Sequence, residues 1–133
     1  MPIQKDILYS AGALREHFNA GDYIFREGDM PLYYYQILTG NVKLNRYSND
    51  REFIQDLLSD NSCIGEAMLI VGKAYPLNAV ALSDCTVLKI STEHFFDLLH
   101  LHPHIFFGIY SALADASFEN TIMMDSIISK GIK

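Results

Sequence analysis

The feature that most constrains the fold is the regular return of turn chemistry through residues 21–90. Gly21-Asp22, Glu27-Gly28-Asp29 with Pro31, Gly40-Asn41, Ser48-Asn49-Asp50, Ser59-Asp60-Asn61-Ser62 and Ser83-Asp84 cut this segment into short runs. The runs between them are aromatic and β-branched: Tyr23 to Phe25, Tyr33 to Thr39, Val42 to Leu44, Phe53 to Leu58 and Thr86 to Ile90. Such residues suit a pleated, half-buried surface, and turns every 8–12 residues or so point to a sandwich or barrel, not to βαβ units. Gly40-Asn41 reads as hairpin chemistry, because both residues tolerate φ > 0.

The two ends read differently. Residues 1–20 place Ile7, Leu8, Leu14 and Phe18 at loosely helical spacing, which predicts an N-terminal helical segment. Residues 91–133 read as helix, with Ser91 as N-cap and Glu93 in the first turn. Phe95, Phe96 and Leu99 form a short apolar face, and Pro103 opens a second helix that runs to about Ser129. Along it Phe106, Tyr110, Leu113, Ser117, Asn120, Met124 and Ile127 are spaced 4, 3, 4, 3, 4, 3, which is a heptad seam. The seam predicts a homodimer interface, with Asn120 setting register. With 133 residues the chain reads as one domain.

Charge and composition exclude several classes. Ten Lys and Arg against 16 Asp and Glu give a net charge of −6, which repels a phosphate backbone, so the chain is a poor stand-alone nucleic-acid binder. Two cysteines are too few for a disulfide framework. The longest apolar stretch, Ala67 to Val71, is far short of a membrane span, and MPIQKDILYS lacks a signal-peptide core. The expectation is a cytoplasmic domain with no membrane partner.

Catalytic constellations are missing as well. Gly65 and Gly72-Lys73 have six residues between the glycines and Ala74 after the lysine, so the P-loop spacing fails. No nucleophile, base and oxyanion donors come together in the sequence, which predicts a non-enzyme. His94, His100, His102 and His104 suggest a metal set, but Pro103 scatters them over different faces, and no metal site is expected. Tyr33, Tyr34 and Tyr35 should point alternately to opposite faces of a strand. Cys63 precedes a helix start that lowers a thiol pKa, so it is read either as a redox sensor or as a buried strand residue.

The segment Ile64-Gly65-Glu66-Ala67-Met68-Leu69-Ile70 joins a turn to an apolar helix start. Backbone amides at a helix start bind oxyanions, and a carboxylate there accepts hydrogen bonds from hydroxyls. Taken bare, it also reads as an acidic residue complementing a helix dipole.

Its surroundings carry a resemblance. Ala20-Gly21-Asp22-Tyr23-Ile24-Phe25-Arg26-Glu27-Gly28-Asp29 is followed by Tyr35-x-Ile37-Leu38-x-Gly40-x-Val42-Lys43-Leu44. Gly65-Glu66-Ala67, Ala79-Val80-Ala81 and Cys85-x-Val87-Leu88-x-Ile90 continue in order. Together these motifs, over about residues 15–128, resemble the cyclic-nucleotide-binding domain, above all the sensor domain of CRP/FNR-type transcription regulators. The resemblance implies a mainly β fold: an eight-stranded jelly-roll barrel, or double-stranded β-helix, with flanking helices and a long C-terminal dimerisation helix. It implies a phosphate cassette, here residues 64–78, in which Gly65 and the following amides hold a phosphate and Glu66 takes a ribose hydroxyl.

The match is incomplete. The resemblance calls for an Arg nine or ten residues after the Glu, but Tyr75 stands there, followed by Pro76, Leu77 and Asn78, and no Arg follows Arg51. The candidate ligand contacts are therefore Gly65, Glu66, Ala67, Lys73, Tyr75, Pro76 and Asn78, with Ser117 and Asn120 reaching over the base. Lys73 offers a point charge, and Tyr75 and Asn78 offer neutral hydrogen bonds. Loss of a charge-assisted pair removes roughly 1.5–3 kcal/mol, which argues against ordinary cAMP affinity.

Three readings stay open. The first is a sensing domain of a CRP/FNR-type regulator for a cyclic nucleotide or another small anionic ligand, with no cofactor assigned. The second is a ligand-free dimerisation or protein-interaction module, in which Tyr75, Pro76 and Leu77 fill the pocket. The third is a redox sensor through Cys63. DNA is a partner only through a helix-turn-helix domain, for which the chain has no room; the abrupt end of the seam reads as a fragment of a longer regulator.

Overall fold

The computed structural model describes residues 2–111. Residues 2–98 form one compact unit, and residues 99–111 belong to a second. The first holds α1 (Lys5–Ser10), β1 (Leu14–Phe18), β2 (Tyr23–Phe25), β3 (Tyr33–Thr39), β4 (Val42–Ser48), β5 (Arg51–Leu58), β6 (Cys63–Ile64), α2 (Glu66–Val71), β7 (Asn78–Ala81) and β8 (Cys85–Ser91). Helix α3 (Thr92–Leu101) follows, and a further helix is described over 103–111. No described helix is long and apolar enough to cross a membrane.

The eight strands form two antiparallel four-stranded sheets, ordered β1-β8-β3-β6 and β2-β7-β4-β5. Their inner faces enclose a core of Phe18, Ile24, Phe25, Tyr35, Ile37, Val42, Ile64, Tyr75, Ala79, Ala81, Cys85 and Val87. The tyrosine run splits as its period of two requires. Tyr33 and Tyr35 lie together, and Tyr35 leans toward Phe25 at 6.3 Å. Tyr34 turns to the other face and stacks on Phe95 of α3. Ser91 caps α3 as expected, its Oγ accepting from the His94 N–H at 3.2 Å.

Several expectations need correction. Gly40-Asn41 does not close a hairpin: β3 pairs with β8 and β6, while β4 pairs with β5 and β7. A two-residue type I′ turn needs φ > 0 at both positions, and here Gly40 has φ 116° while Asn41 has no positive φ. The pair is instead a corner between sheets, tied by Gly40 N–H to Asp60 and Asn41 N–H to Ser83. The true hairpin is Ser48 to Arg51, where Asn49 (φ 53°) and Asp50 (φ 62°) both adopt the left-handed conformation.

Residues 1–20 are not all helical either. Leu14 and Phe18 mimic an i, i+4 helical pair, yet they belong to edge strand β1, where only Phe18 is buried. Strand β7 was not foreseen as a strand. Its Asn and Ala residues have weak strand preference, and burial at all four positions holds it in the middle of its sheet. Of the seam, Phe106 and Tyr110 are described, and both are exposed. Leu113, Ser117, Asn120, Met124 and Ile127 lie outside the described residues, and with them the long dimerisation helix.

Candidate functional site

Gly65, with φ 72°, leads into α2, which ends at Gly72, also left-handed at φ 71°. The helix is only six residues long. Glu66 sits in its first turn with Oε2 buried and without a hydrogen-bond partner among the described residues. Burial raises the pKa of Tyr34 and of Cys63, and the Glu66 carboxylate adds to the rise at both.

Tyr75 occupies the barrel interior. Its ring lies 3.5 Å from that of Phe25, centroid to centroid, and 6° from parallel. It is 3% exposed. A β-carbon on Gly65 would meet this ring, so the glycine makes room for it. The Tyr75 hydroxyl is buried and has no hydrogen-bond partner among the described residues. Burial, with smaller contributions from Tyr35 and Asp29, raises its pKa, so it stays a neutral phenol. The backbone is pinned on both sides: Tyr75 N–H donates to Asp29 O at 2.9 Å, and Gly28 N–H donates to Tyr75 O at 2.8 Å.

The other candidate contacts scatter. Gly65, Glu66 and Ala67 are half-buried at the start of α2, while Lys73 and Pro76 are exposed. Of the residues expected to fill the pocket, Tyr75 does so, Leu77 is half-buried and Pro76 faces solvent. Asn78 was expected to offer a ligand hydrogen bonds, but its side chain is engaged within the barrel. Its Oδ1 accepts from the Glu27 N–H at 2.8 Å, and its Nδ2 donates to Asn45 Oδ1 at 3.1 Å. Asn45 in turn donates to Glu52. Ser117 and Asn120 lie outside the described residues.

The environment of Cys63 weighs against the redox reading. Burial pushes the thiol up to about 11, and the Glu66 carboxylate adds to the rise. The Tyr34 hydroxyl lies 2.9 Å from its sulfur. A group so placed is a thiol at neutral pH, not the reactive thiolate a sensor needs. His94, His100 and His104 are exposed, and among the described residues no group of three or more His, Cys, Asp or Glu side chains forms a metal set.

Sequence reasoning missed Phe25 as the platform under Tyr75, although it lies inside the quoted motif. It also missed Gln36. That buried carboxamide accepts from the Ile3 N–H at 2.9 Å, donates to Ile3 O at 2.8 Å and accepts from the Tyr34 hydroxyl at 2.7 Å. A lone Gln inside an apolar strand was the available signal.

Comparison with known proteins agrees with this architecture. A family model described as the cyclic nucleotide-binding domain matches residues 15–102. The catabolite activator protein of Thermus thermophilus superposes with a TM-score of 0.82 at 25% identity, covering 92% of this chain and 57% of that one. The sensor domain of the transcriptional regulator DNR from Pseudomonas aeruginosa shares the fold with a TM-score of 0.74 at 20% identity, covering 86% and 77%. Patatin-like phospholipase domain-containing protein 6 of Mus musculus is 25% identical over 107 residues. That alignment takes in 79% of this chain and 8% of the mouse protein.

Proposed function

The chain belongs to the cyclic nucleotide-binding domain family, and from that premise we propose that it is the small-molecule-sensing part of a CRP/FNR-type regulator that does not hold a cyclic phosphate in the ordinary way. The observation that carries this reading is the Tyr75 ring, stacked on Phe25 and packed against Gly65 where the resemblance calls for an arginine. A desolvated phosphate needs a charge-assisted partner, and Tyr75 supplies a neutral phenol with its ring in the way. Lys73, the nearest cation in sequence, faces solvent. The role is regulatory and non-catalytic. Ligand would act by shifting the helices after the barrel between two arrangements, with a second copy as partner through the Phe106–Ile127 seam.

Calorimetric titration of the purified chain with cAMP and then cGMP, at moderate salt, tests this. The expected result is no heat and no thermal stabilisation at millimolar nucleotide. Micromolar binding that disappears in Glu66→Ala overturns it.

A second reading has its own support. Tyr47, Phe53, Ile54 and Leu57 of the β4–β5 hairpin are exposed apolar residues, and β5 is an edge strand. A ligand-free protein-interaction module would use such a surface.

A further inference from the structure

The plugged barrel carries a sign of reversibility. A hydroxyl buried without a partner disfavours the state that buries it, and Tyr75 holds such a hydroxyl. Its backbone is fixed to the Gly28–Asp29 turn by two hydrogen bonds, so rotation about its side-chain bonds moves the ring and leaves the barrel in place. Lys73, Ala74 and Pro76 around it are exposed, so solvent lies close by.

The walls left behind determine what could replace the ring. Phe25 would present an uncovered aromatic face, with Tyr35 beside it and Gly65 at its edge. An adjoining cleft of about 400 Å³, to which Phe25 also contributes, is lined by Glu16, Asp22 and Asp29. Its one guanidinium, Arg26, lies over the Tyr23 ring at 3.9 Å. An anion entering here would shed its water against three carboxylates, and the described side chains that could answer them are Arg26, already over a ring, and His17. A flat neutral ring would exchange like for like on Phe25.

We propose that the Tyr75 side chain is a displaceable plug, and that the place it vacates binds a neutral, planar aromatic molecule stacked on Phe25. This rests on the sensing role proposed above and names the ligand class of the same barrel. It departs from the small anionic ligand that the resemblance implies.

The test uses indole as probe on the full chain. The chain has no Trp, so indole fluorescence reports binding directly. Wild type should bind weakly, at roughly 1 mM. Tyr75→Ala should bind at least about tenfold more tightly, because apolar cavities take up small aromatic molecules. Tyr75→Phe should bind more weakly than wild type, because it keeps the ring and removes the orphan hydroxyl that disfavours the plugged state. Binding to Tyr75→Ala with none to wild type at millimolar indole overturns the proposal, since the plug is then permanent. Equal affinity of wild type and Tyr75→Phe overturns it too, and this comparison does not depend on the alanine variant folding. Micromolar cAMP binding to wild type overturns the earlier reading instead, so the two failures are distinct.

Discussion

Gly65 and Tyr75 are in such close contact that a β-carbon on the glycine would stand 2.7 Å from the tyrosine ring. The same β-carbon would lie 3.1 Å from Phe25. The stack inside the barrel and the left-handed start of α2 are thus one packing solution. Neither survives a side chain at residue 65 unchanged.

Gly65→Ala should accordingly lose stability twice, through left-handed strain and through collision. Together these amount to roughly 2–4 kcal/mol. Gly72→Ala is the matched comparison, with φ 71° and open space around the added carbon; it should cost only about 1–2 kcal/mol. Urea denaturation of the two variants measures the difference, and equal losses would show that the ring yields freely.

At the corner between the sheets, Gly40→Ala should be worse than Gly21→Ala. An added carbon at Gly40 would lie 2.6 Å from Cys85 Sγ and 2.7 Å from the Asp84 carbonyl, and that backbone atom cannot rotate away. Nothing stands within 4 Å of the corresponding carbon at Gly21. The expected gap is about 1–3 kcal/mol in unfolding free energy, read again from denaturation midpoints.

Cys63 makes the fold alkali-sensitive. Its folded pKa, about 11, lies above the ordinary value of 9.0. The unfolded chain therefore releases the thiol proton first as pH rises, and stability present below about pH 9 is lost on the way to pH 11. By about pH 10.5 the loss attributable to this thiol should be about 2 kcal/mol. Comparing wild type with Cys63→Ala at about pH 8 and again at about pH 10.5 isolates it, and an unchanged difference would contradict the burial argument.

Gln36→Leu should release the N-terminal segment. The substitution removes the Gln36 partner of the Ile3 N–H, of the Ile3 carbonyl and of the Tyr34 hydroxyl, which keeps its contact with Cys63 Sγ. An expected cost of about 2–3 kcal/mol follows, limited because the freed backbone can turn to water. Amide hydrogen exchange at Ile3 should accelerate markedly, and retained protection there would mean that Gln36 is not what holds the segment.

Tyr75→Arg should create cAMP affinity. The guanidinium would lose most of its hydration inside the barrel, so the apo variant should be less stable than wild type, and nucleotide should raise its Tm. A charge-assisted phosphate contact corresponds to roughly ten- to a hundredfold in affinity. Parallel titrations of wild type and variant read this gain, and its absence would place the phosphate elsewhere.

Much of the chain was legible locally. Asn49-Asp50 announced a turn, Ser91 a helix cap, Pro103 a new helix, and Gly65-Glu66 the start of a short helix. Each depends on residues a few positions apart, where side chain and backbone decide together. Edge strand β1 misled because Leu14 and Phe18 satisfy a helical spacing while their neighbours face solvent. Strand β7 was hidden because small residues show no strand preference until both faces are covered. The absence of an arginine after Arg51 was plain in the sequence, but not what its replacement does with its ring.

Local chemistry, then, determined the alternation of strands and turns, the two sheets' worth of β-structure and the glycine-led start of α2. The tertiary structure alone decided which strands pair across Gly40, which partners Asn78 and Gln36 find, how high the Cys63 thiol titrates and that Tyr75 lies on Phe25. The physical reason is separation along the chain. Tyr75 meets a ring fifty residues earlier, Asn78 a backbone amide at residue 27, and Tyr34 a strand that ends at Ser91. Burial and partnership at such distances are properties of the packed barrel, and no window of sequence contains both members of the pair.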